Sequence, residues 1–536
     1  MIVDEIELFH YLCPKQKVMK KRFNTTGSCN PAMHYMVDTS KKLAQIEEYI
    51  DDGLYFTINR ARQFGKTTTL NAMLRLFADE YIVIKISFEG FGPDSYKNEE
   101  TFVRSFMEEV NDMLIKSNQT VYAQLWSQTI LSLNELSRHI NNFCSKCGKK
   151  VVLFIDEVDK SLDNQLFLHF LGTLRNLYLM RNETGDMHST FHSVVLAGVY
   201  DVKNLKIKLR PDEERKYNSP WNIAAKFKVD MTFHPDEIIT MLNEYEIDYQ
   251  TGMNKAFIAN EIYKYTSGYP YLVSCICSII NDELEQDWSE KGIQDAIKIL
   301  IKERENTLLG DLTKNIETYP DFEKLMTDVL LHDKEIVYEP NVPAIDLALT
   351  FSAVKEDAHG HITVHNLVFE QKLYNYFVAK ESLKGNSDFS GNRSIYVTNG
   401  RLNMPLVIAR FQELMRNERR RADNEFLERQ GRLLFLCFLK PIVNGTGFYY
   451  VEPETRNGGR MDLVVSFGGE EFVIELKIWR GEKYEVEGKV QLAEYLKTRN
   501  LSEGYLVTFS FLKNKTIQEE PVWVEHDGKR IYEAVI

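Results

Sequence analysis

Residues 59–70 read NRARQFGKTTTL, and the apolar run LYFTINR at 54–60 leads straight into them. A short β-branched and aromatic run, then a polar turn, then a helix-forming stretch gives the order strand, loop, helix. Backbone N–H groups at a helix start bind phosphate, helped by the positive end of the helix dipole. Gly65 lets the backbone approach a phosphate, Lys66 neutralises the β- and γ-phosphates, and Thr67 offers a hydroxyl to Mg2+. Thr68 is the expected partner of the α-phosphate. The first glycine of the pattern G-x-x-x-x-G-K-[ST] is missing, and Arg60 stands in its place. Taken alone, Gly-Lys-Thr also suits a solvated helix N-cap beside a lysine.

The acidic run VVLFIDEVDK at 151–160 narrows the choice. Five apolar residues carry Asp156 and Glu157 to the C-terminal end of a strand, where α/β sheets place their ligands. Asp156 is expected to hold Mg2+ through water. Glu157 is expected to polarise the attacking water, the task that phosphoryl transfer leaves to the protein. Four short apolar runs, at 54–60, 81–87, 151–158 and 193–200, alternate with amphipathic stretches. This alternation predicts an α/β fold with a parallel sheet covered by helices. ATP and Mg2+ are the implied cofactors.

The stretch RARQFGKTT, with Arg62 and Phe64 before Gly65, resembles the AAA-ATPase-like family of bacterial proteins. The loop there reads R-x-R-[RQ]-[FY]-G-K-[ST], so the absent glycine is normal in that family. MHYMVD, SFEG, VVLAGVYD, SPWNIAAKF and TSGYPYLVS carry the likeness over roughly residues 30–280. The resemblance implies an additional-strand P-loop ATPase, a sensor-like role for the end of VVLAGVYD and a helical lid. Arg210 and Arg215 lie in a polar loop, where either could act as an arginine finger in a homo-oligomer. A solvated loop arginine is the preferred reading of each.

The remaining organisation follows from composition shifts. Residues 1–50 form an entry segment, 51–235 the ATPase core and 236–305 the helical lid, with apolar residues three and four apart. Residues 306–382 end in LTFSAVKEDAHGHITVHNLVF, two apolar runs around a polar turn, which predicts a winged-helix-like module. Residues 383–424 are a polar linker and basic helix, and 425–536 are a separate α/β domain.

In that last domain, GGRMDLVVSFGGEEFVIELKIW predicts two strands around a Gly-Gly turn. Glu475 and Lys477 are two apart and share a face. Antiparallel pairing would bring Asp462 near Glu475. Two carboxylates and a lysine suit metal-assisted phosphodiester cleavage: the acids hold Mg2+ or Mn2+ and the lysine assists the attacking water. A solvent-facing hairpin with a cross-strand ion pair is the plain alternative. FVIELKIW is mostly apolar, however, and buried charge needs a reason. The region resembles the PD-(D/E)XK nuclease superfamily, with a restriction-endonuclease-like fold. Asp462 matches its motif aspartate, and Glu475-Leu476-Lys477 its (D/E)-x-K triplet, although Met461 replaces the proline. Glu428 matches the N-terminal helix acid that often adds a metal ligand. Gln491 and Tyr495 match the Q-x-x-x-Y feature, which a generic amphipathic helix also explains.

The chain has 536 residues and a net charge of −13, which excludes wholesale coating of polyanions but leaves room for a local basic patch. Arg416, Arg419, Arg420 and Arg421 form such a run, balanced by Glu418 and Asp423. No apolar run reaches membrane-spanning length, and the N-terminus lacks a basic signal region, so a cytoplasmic protein without a membrane is expected. Seven cysteines do not make a disulfide framework; Cys144 and Cys147 are read as a plain loop, and Cys275 and Cys277 as core. The combined expectation is an ATPase that gates or positions a metal-dependent nuclease on nucleic acid, DNA ahead of RNA. Such a pairing would suit defence or a mobile element. The alternative is a nucleotide-controlled switch whose C-terminal domain only binds nucleic acid or a protein partner.

Overall fold

The computed structural model describes residues 20–162, 164–185, 188–200, 220–330, 336–383, 393–419, 424–443, 447–450, 463–478, 482–510 and 520–536. The chain divides into two compact units. One holds residues through Tyr263, Ser267–Ala296 and Thr350–Ser352; the other holds Lys264–Thr266, Ile297–Leu349 and Ala353–Ile536. Among the described residues, no helix is long and apolar enough to cross a membrane.

The first unit is built on a four-stranded parallel sheet. Its strands are β1 (Tyr55–Asn59), β2 (Ile82–Ser87), β3 (Val151–Asp156) and β4 (Ser193–Gly198). Strands β3 and β4 are buried along their whole length, as expected when helices cover both faces. The order is β1-β4-β3-β2, so β4 lies between the strand that leads into the phosphate loop and the strand that ends in acids. A parallel bridge from Phe56 to Ala225 extends the sheet beyond β1. Aromatic side chains fill the core; Trp221 is fully buried and its indole N–H donates to Thr57 Oγ1 at 3.0 Å. This satisfies a polar group that burial would otherwise penalise.

Helices Pro235–Tyr249, Lys255–Thr266 and Pro270–Asp282 follow the sheet. The long apolar stretch at 256–284 is therefore two helices, broken at Ser267–Gly268 with both residues at positive φ. The CxxC pair also departs from the loop expected of it. Cys144 lies in the helix Leu133–Lys146, and Cys147 caps that helix and is buried with Phe143. The polar residues around them masked an amphipathic helix end.

In the second unit, the hairpin β5 (Val354–Glu356) and β6 (Ile362–Val364) forms around Asp357, whose carboxylate accepts the His359 and His361 N–H groups, each at 2.8 Å. An isolated antiparallel bridge between Val337 and His361 lies beside this two-stranded sheet. The two-residue strands β7 (Val397–Thr398) and β8 (Arg401–Leu402) form a second hairpin. Beyond it lies a six-stranded mixed sheet: β9 (Gly447–Tyr450), β10 (Leu463–Phe467), β11 (Glu470–Ile478), β12 (Glu503–Phe509), β13 (Val522–His526) and β14 (Lys529–Val535). Strands β9, β10 and β11 are antiparallel, and β11 and β12 are parallel, joined through the helix Glu482–Thr498. The helices Met404–Arg419 and Asn424–Val443 precede this sheet. Phe411 of the first lies against Phe435 of the second and against Phe509 of β12.

Candidate functional site

Strand β1 ends at Asn59, and the helix Lys66–Leu76 starts six residues after Arg60. The turn between them is tight, with Gln63 and Gly65 at φ of 57° and 81°. Arg60 sits where the usual pattern has glycine. It is tolerated because its guanidinium turns away to the carbonyls of Asn59 and Val229, both at 2.9 Å, and over the Phe227 ring. Arg62 is exposed, while its carbonyl accepts the Tyr269 hydroxyl at 2.6 Å. Phe64 is buried edge-on against the same Tyr269 ring. The segment TSGYPYLVS thus braces the loop from behind.

Lys66 is buried and donates to the carbonyls of Arg60 at 2.9 Å and Ala61 at 3.0 Å. Burial lowers its pKa, opposed by the acids Asp159, Glu157 and Asp156. The hydroxyl of Thr67 donates to Asp156 Oδ2 at 2.8 Å. A hydroxyl and a carboxylate together are hard oxygen donors of the kind Mg2+ prefers. Thr68 accepts the Cys29 N–H at 3.0 Å. Glu157 follows Asp156 in the left-handed region, at φ 54°, which turns it off the strand end. Burial raises its pKa, and the neighbouring Asp156 raises it further. Loop, lysine, hydroxyl and both acids are therefore brought to one end of the sheet.

A cavity of about 160 Å³ opens beside Gly65 and Thr68. Its walls come from the phosphate loop, from residues 24–46 and from the helices around Met241 and Tyr271. Ser274 donates to the Asn24 carbonyl at 2.7 Å, and Met36 N–H to Glu244 at 3.1 Å, fastening the N-terminal segment onto those helices. Residues 1–50, expected to form no more than an entry segment, thus line this cavity in part. Within the cavity wall MHYMVD carries a family likeness but no periodicity that would announce this contact.

The profile of the AAA-like domain matches residues 27–348, more than half of the chain. The chain belongs to the AAA-like domain family. The fold is that of a P-loop ATPase, with β4 between the strand that leads into the phosphate loop and the strand that ends in acids. Arg210 and Arg215 lie outside the described residues.

Solved structures give weaker likenesses. The Walker-type ATPase paby2304 of Pyrococcus abyssi is 14% identical, with 66% of this chain and 99% of that one covered, at a TM-score of 0.46. The Aeropyrum pernix ORC2 protein in its ADP form is 13% identical over 65% and 94% of the two chains, at 0.35. The Thermotoga maritima RuvB Holliday junction branch migration motor is 14% identical over 63% and 94%, at 0.31. A search of curated proteins gives no match.

The second cluster lies on the six-stranded sheet. Glu475 and Lys477 share a face of β11 and form an ion pair at 2.8 Å; Glu475 is fully buried. Parallel pairing aligns Glu475 with Leu506 and Lys477 with Thr508, and β14 sets Glu533 beside Leu506. Helix Glu482–Thr498 crosses this face at Gly488, where an ideal Cβ would lie 3.6 Å from Lys477 Cγ. The same helix carries Gln491, half-buried with its Oε1 enclosed, and Tyr495, packed with Leu492 and Leu496. It also carries Lys489, paired to Glu533 at 2.7 Å. Asp462 lies outside the described residues, and so does the side chain of Glu428, whose backbone belongs to Asn424–Val443. Among the described residues, no group of three or more His, Cys, Asp or Glu is placed to hold a metal.

Proposed function

We propose that the chain hydrolyses ATP and uses the nucleotide state to gate or position a metal-dependent phosphodiester-cleaving domain on nucleic acid. The observation that carries this reading is the fully buried Glu475 carboxylate, two residues from Lys477 on the same face of β11. A charge at that depth is costly to keep without a task. It stands in a chain that also pairs Thr67 with Asp156 at a phosphate loop.

On the ATPase side, Lys66 and the loop amides hold the phosphates, and Gly65, Thr68 and the adjoining cavity accept the rest of the nucleotide. Thr67 and Asp156 would hold Mg2+, which supplies charge neutralisation on the phosphates. Glu157 orients and deprotonates the attacking water, with Arg62 and Phe64 shaping the loop.

On the nuclease side, Asp462, Glu475 and Glu428 would hold Mg2+ or Mn2+, which supplies Lewis acidity at the phosphodiester. Lys477 orients the water, and Gln491 contacts the substrate strand from the crossing helix. The order helix, three antiparallel strands, helix, parallel strand supports this assignment. The hairpin β5–β6, as part of a winged-helix-like module, and the run from Arg416 to Arg421 would dock phosphates. DNA is the favoured substrate. The domain boundaries at 50, 235, 305, 382 and 424 divide these tasks.

The test is cleavage of plasmid, linear and single-stranded substrates with Mg2+ or Mn2+, with and without ATP. The Asp462→Ala variant runs alongside. Cleavage lost in the variant is the expected result. Unchanged cleavage in the variant, or none in the parent with ATP turnover intact, would remove the nuclease assignment and leave a nucleotide-controlled switch.

A further inference from the structure

Asp159 is an acid to which neither the phosphate loop nor the Asp156–Glu157 pair assigns a task. Its two carboxylate oxygens each take one backbone N–H from consecutive residues: Val199 to Oδ2 at 2.6 Å and Tyr200 to Oδ1 at 3.0 Å. Those residues directly follow Gly198, the last residue of β4. The approach is close, because a Cβ on Gly198 would lie 2.9 Å from Asp159 Oδ1 and 2.8 Å from Val158 Cγ2. A side chain there would push the carboxylate off its two donors.

The contact continues on the other side of β4. The Gly198 carbonyl accepts the Arg60 N–H at 3.1 Å, and Gly198 pairs with Asn59 in register. The Arg60 carbonyl in turn accepts from Lys66 Nζ. Asp156, three residues before Asp159, accepts from Thr67 Oγ1. These hydrogen bonds close a ring. It runs from the acidic turn through Asp159 to the end of β4, on to the root of the phosphate loop, through Lys66 and Thr67, and back to Asp156. Glu157, half-buried, sits in the segment of that ring between Asp156 and Asp159. A carboxylate that accepts two backbone N–H groups is a strong, directional tie.

We infer that Asp159 is a positioning residue for ATP hydrolysis, holding the turn that bears Glu157 in register with the phosphate loop by clamping the end of β4. The inference rests on the proposed ATPase reading. It assigns Asp159 no contact with nucleotide. Loss of the clamp therefore acts on turnover far more than on binding, because a small displacement of the acid from the water is costly to rate.

The experiment compares Asp159→Asn, Gly198→Ala and Glu157→Gln with the parent full-length chain. It measures ATP affinity, kcat, KM and the thermal midpoint. The expected result for Asp159→Asn is ATP affinity within about threefold of the parent and kcat lower by about tenfold to a hundredfold. Gly198→Ala displaces the carboxylate without removing its charge, so kcat should fall there too, again with ATP affinity kept. A kcat within twofold of the parent in both variants overturns the inference. So does a fall in kcat matched by equal losses in ATP affinity and thermal midpoint, which marks a merely structural tie. A parent that does not turn over ATP overturns the ATPase reading itself, whereas a Glu157→Gln chain as active as the parent moves the base elsewhere and overturns the role inferred for Asp159.

Discussion

Glu157 lies one residue past a fully buried strand, and burial, then Asp156, hold its carboxyl above the ordinary glutamate range. A base must be ionised to draw a proton from water, so turnover should fall as pH drops through this raised value rather than through that of a free glutamate. Glu157→Gln should keep ATP affinity and lose about 10²- to 10⁴-fold in kcat, measured by phosphate release. Equal kcat in parent and variant would move the base elsewhere. A second titration reports on the fold. His192 packs at Gly53 and over the Tyr81 ring, and burial, then Lys150 and Arg181, bring its pKa down from 6.5 to about 4. The unfolded chain binds a proton at 6.5 that the folded ring refuses until about 4. Its contribution to stability is therefore complete above 6.5 and declines as pH falls from 6.5 towards 4. Urea midpoints across that range should fall less steeply in His192→Gln than in the parent. Identical slopes would assign the acid sensitivity to other groups.

The hairpin β10–β11 decides whether Glu475 and Lys477 face the crossing helix. Its loop is Gly468–Gly469, both at positive φ (61° and 84°), between the paired residues Phe467 and Glu470. Two consecutive left-handed residues are what a two-residue turn matched to strand twist requires. A slip of one residue would turn Glu475 to the opposite face. An ideal Cβ at Gly469 meets nothing within 4 Å, whereas one at Gly468 would lie 2.7 Å from the Gly400 carbonyl. Gly469→Val therefore isolates the backbone cost. It should destabilise the unit by about 1–2 kcal/mol, read as a lower denaturation midpoint. No loss would mean that the turn adopts another form. This hairpin was legible in the sequence because Gly-Gly punctuates two apolar runs. The strands β1 to β4 were legible for the same reason, each being short and β-branched. The order β1-β4-β3-β2 was not, since pairing between strands more than forty residues apart leaves no local mark. Nor was the cavity wall at Asn24 to Val37, because these residues meet the loop only through the fold. Asp159 reads as one acid in an acidic run until the fold brings the N–H groups of Val199 and Tyr200, just past β4, against it.

For the whole molecule, the proposed gating has a thermodynamic consequence that does not depend on how the two units are arranged. If ATP raises the affinity for nucleic acid by some factor, nucleic acid must raise the affinity for ATP by the same factor. Coupling between two sites commonly amounts to about 1–3 kcal/mol, or roughly 5- to 150-fold. Turnover would blur both measurements, so the chain should carry Glu157→Gln and Lys477→Ala together. The first is expected to stop ATP hydrolysis while Lys66 and Thr67 remain to hold the nucleotide. The second is expected to stop the proposed cleavage while the Glu475 strand remains. Equilibrium titrations then give the Kd of ATP with and without duplex DNA, and the Kd of DNA with and without ATP. Two equal ratios in that range are expected, both collapsing to one when Lys66→Ala is added. Ratios of one in the unmodified loop would mean that the ATPase and the C-terminal domain share a chain without gating each other. In that case ATP could affect cleavage only through a kinetic step. Single-turnover cleavage by a Glu157→Gln chain with Lys477 intact would then decide the matter: ATP-independent rates there would end the gating proposal.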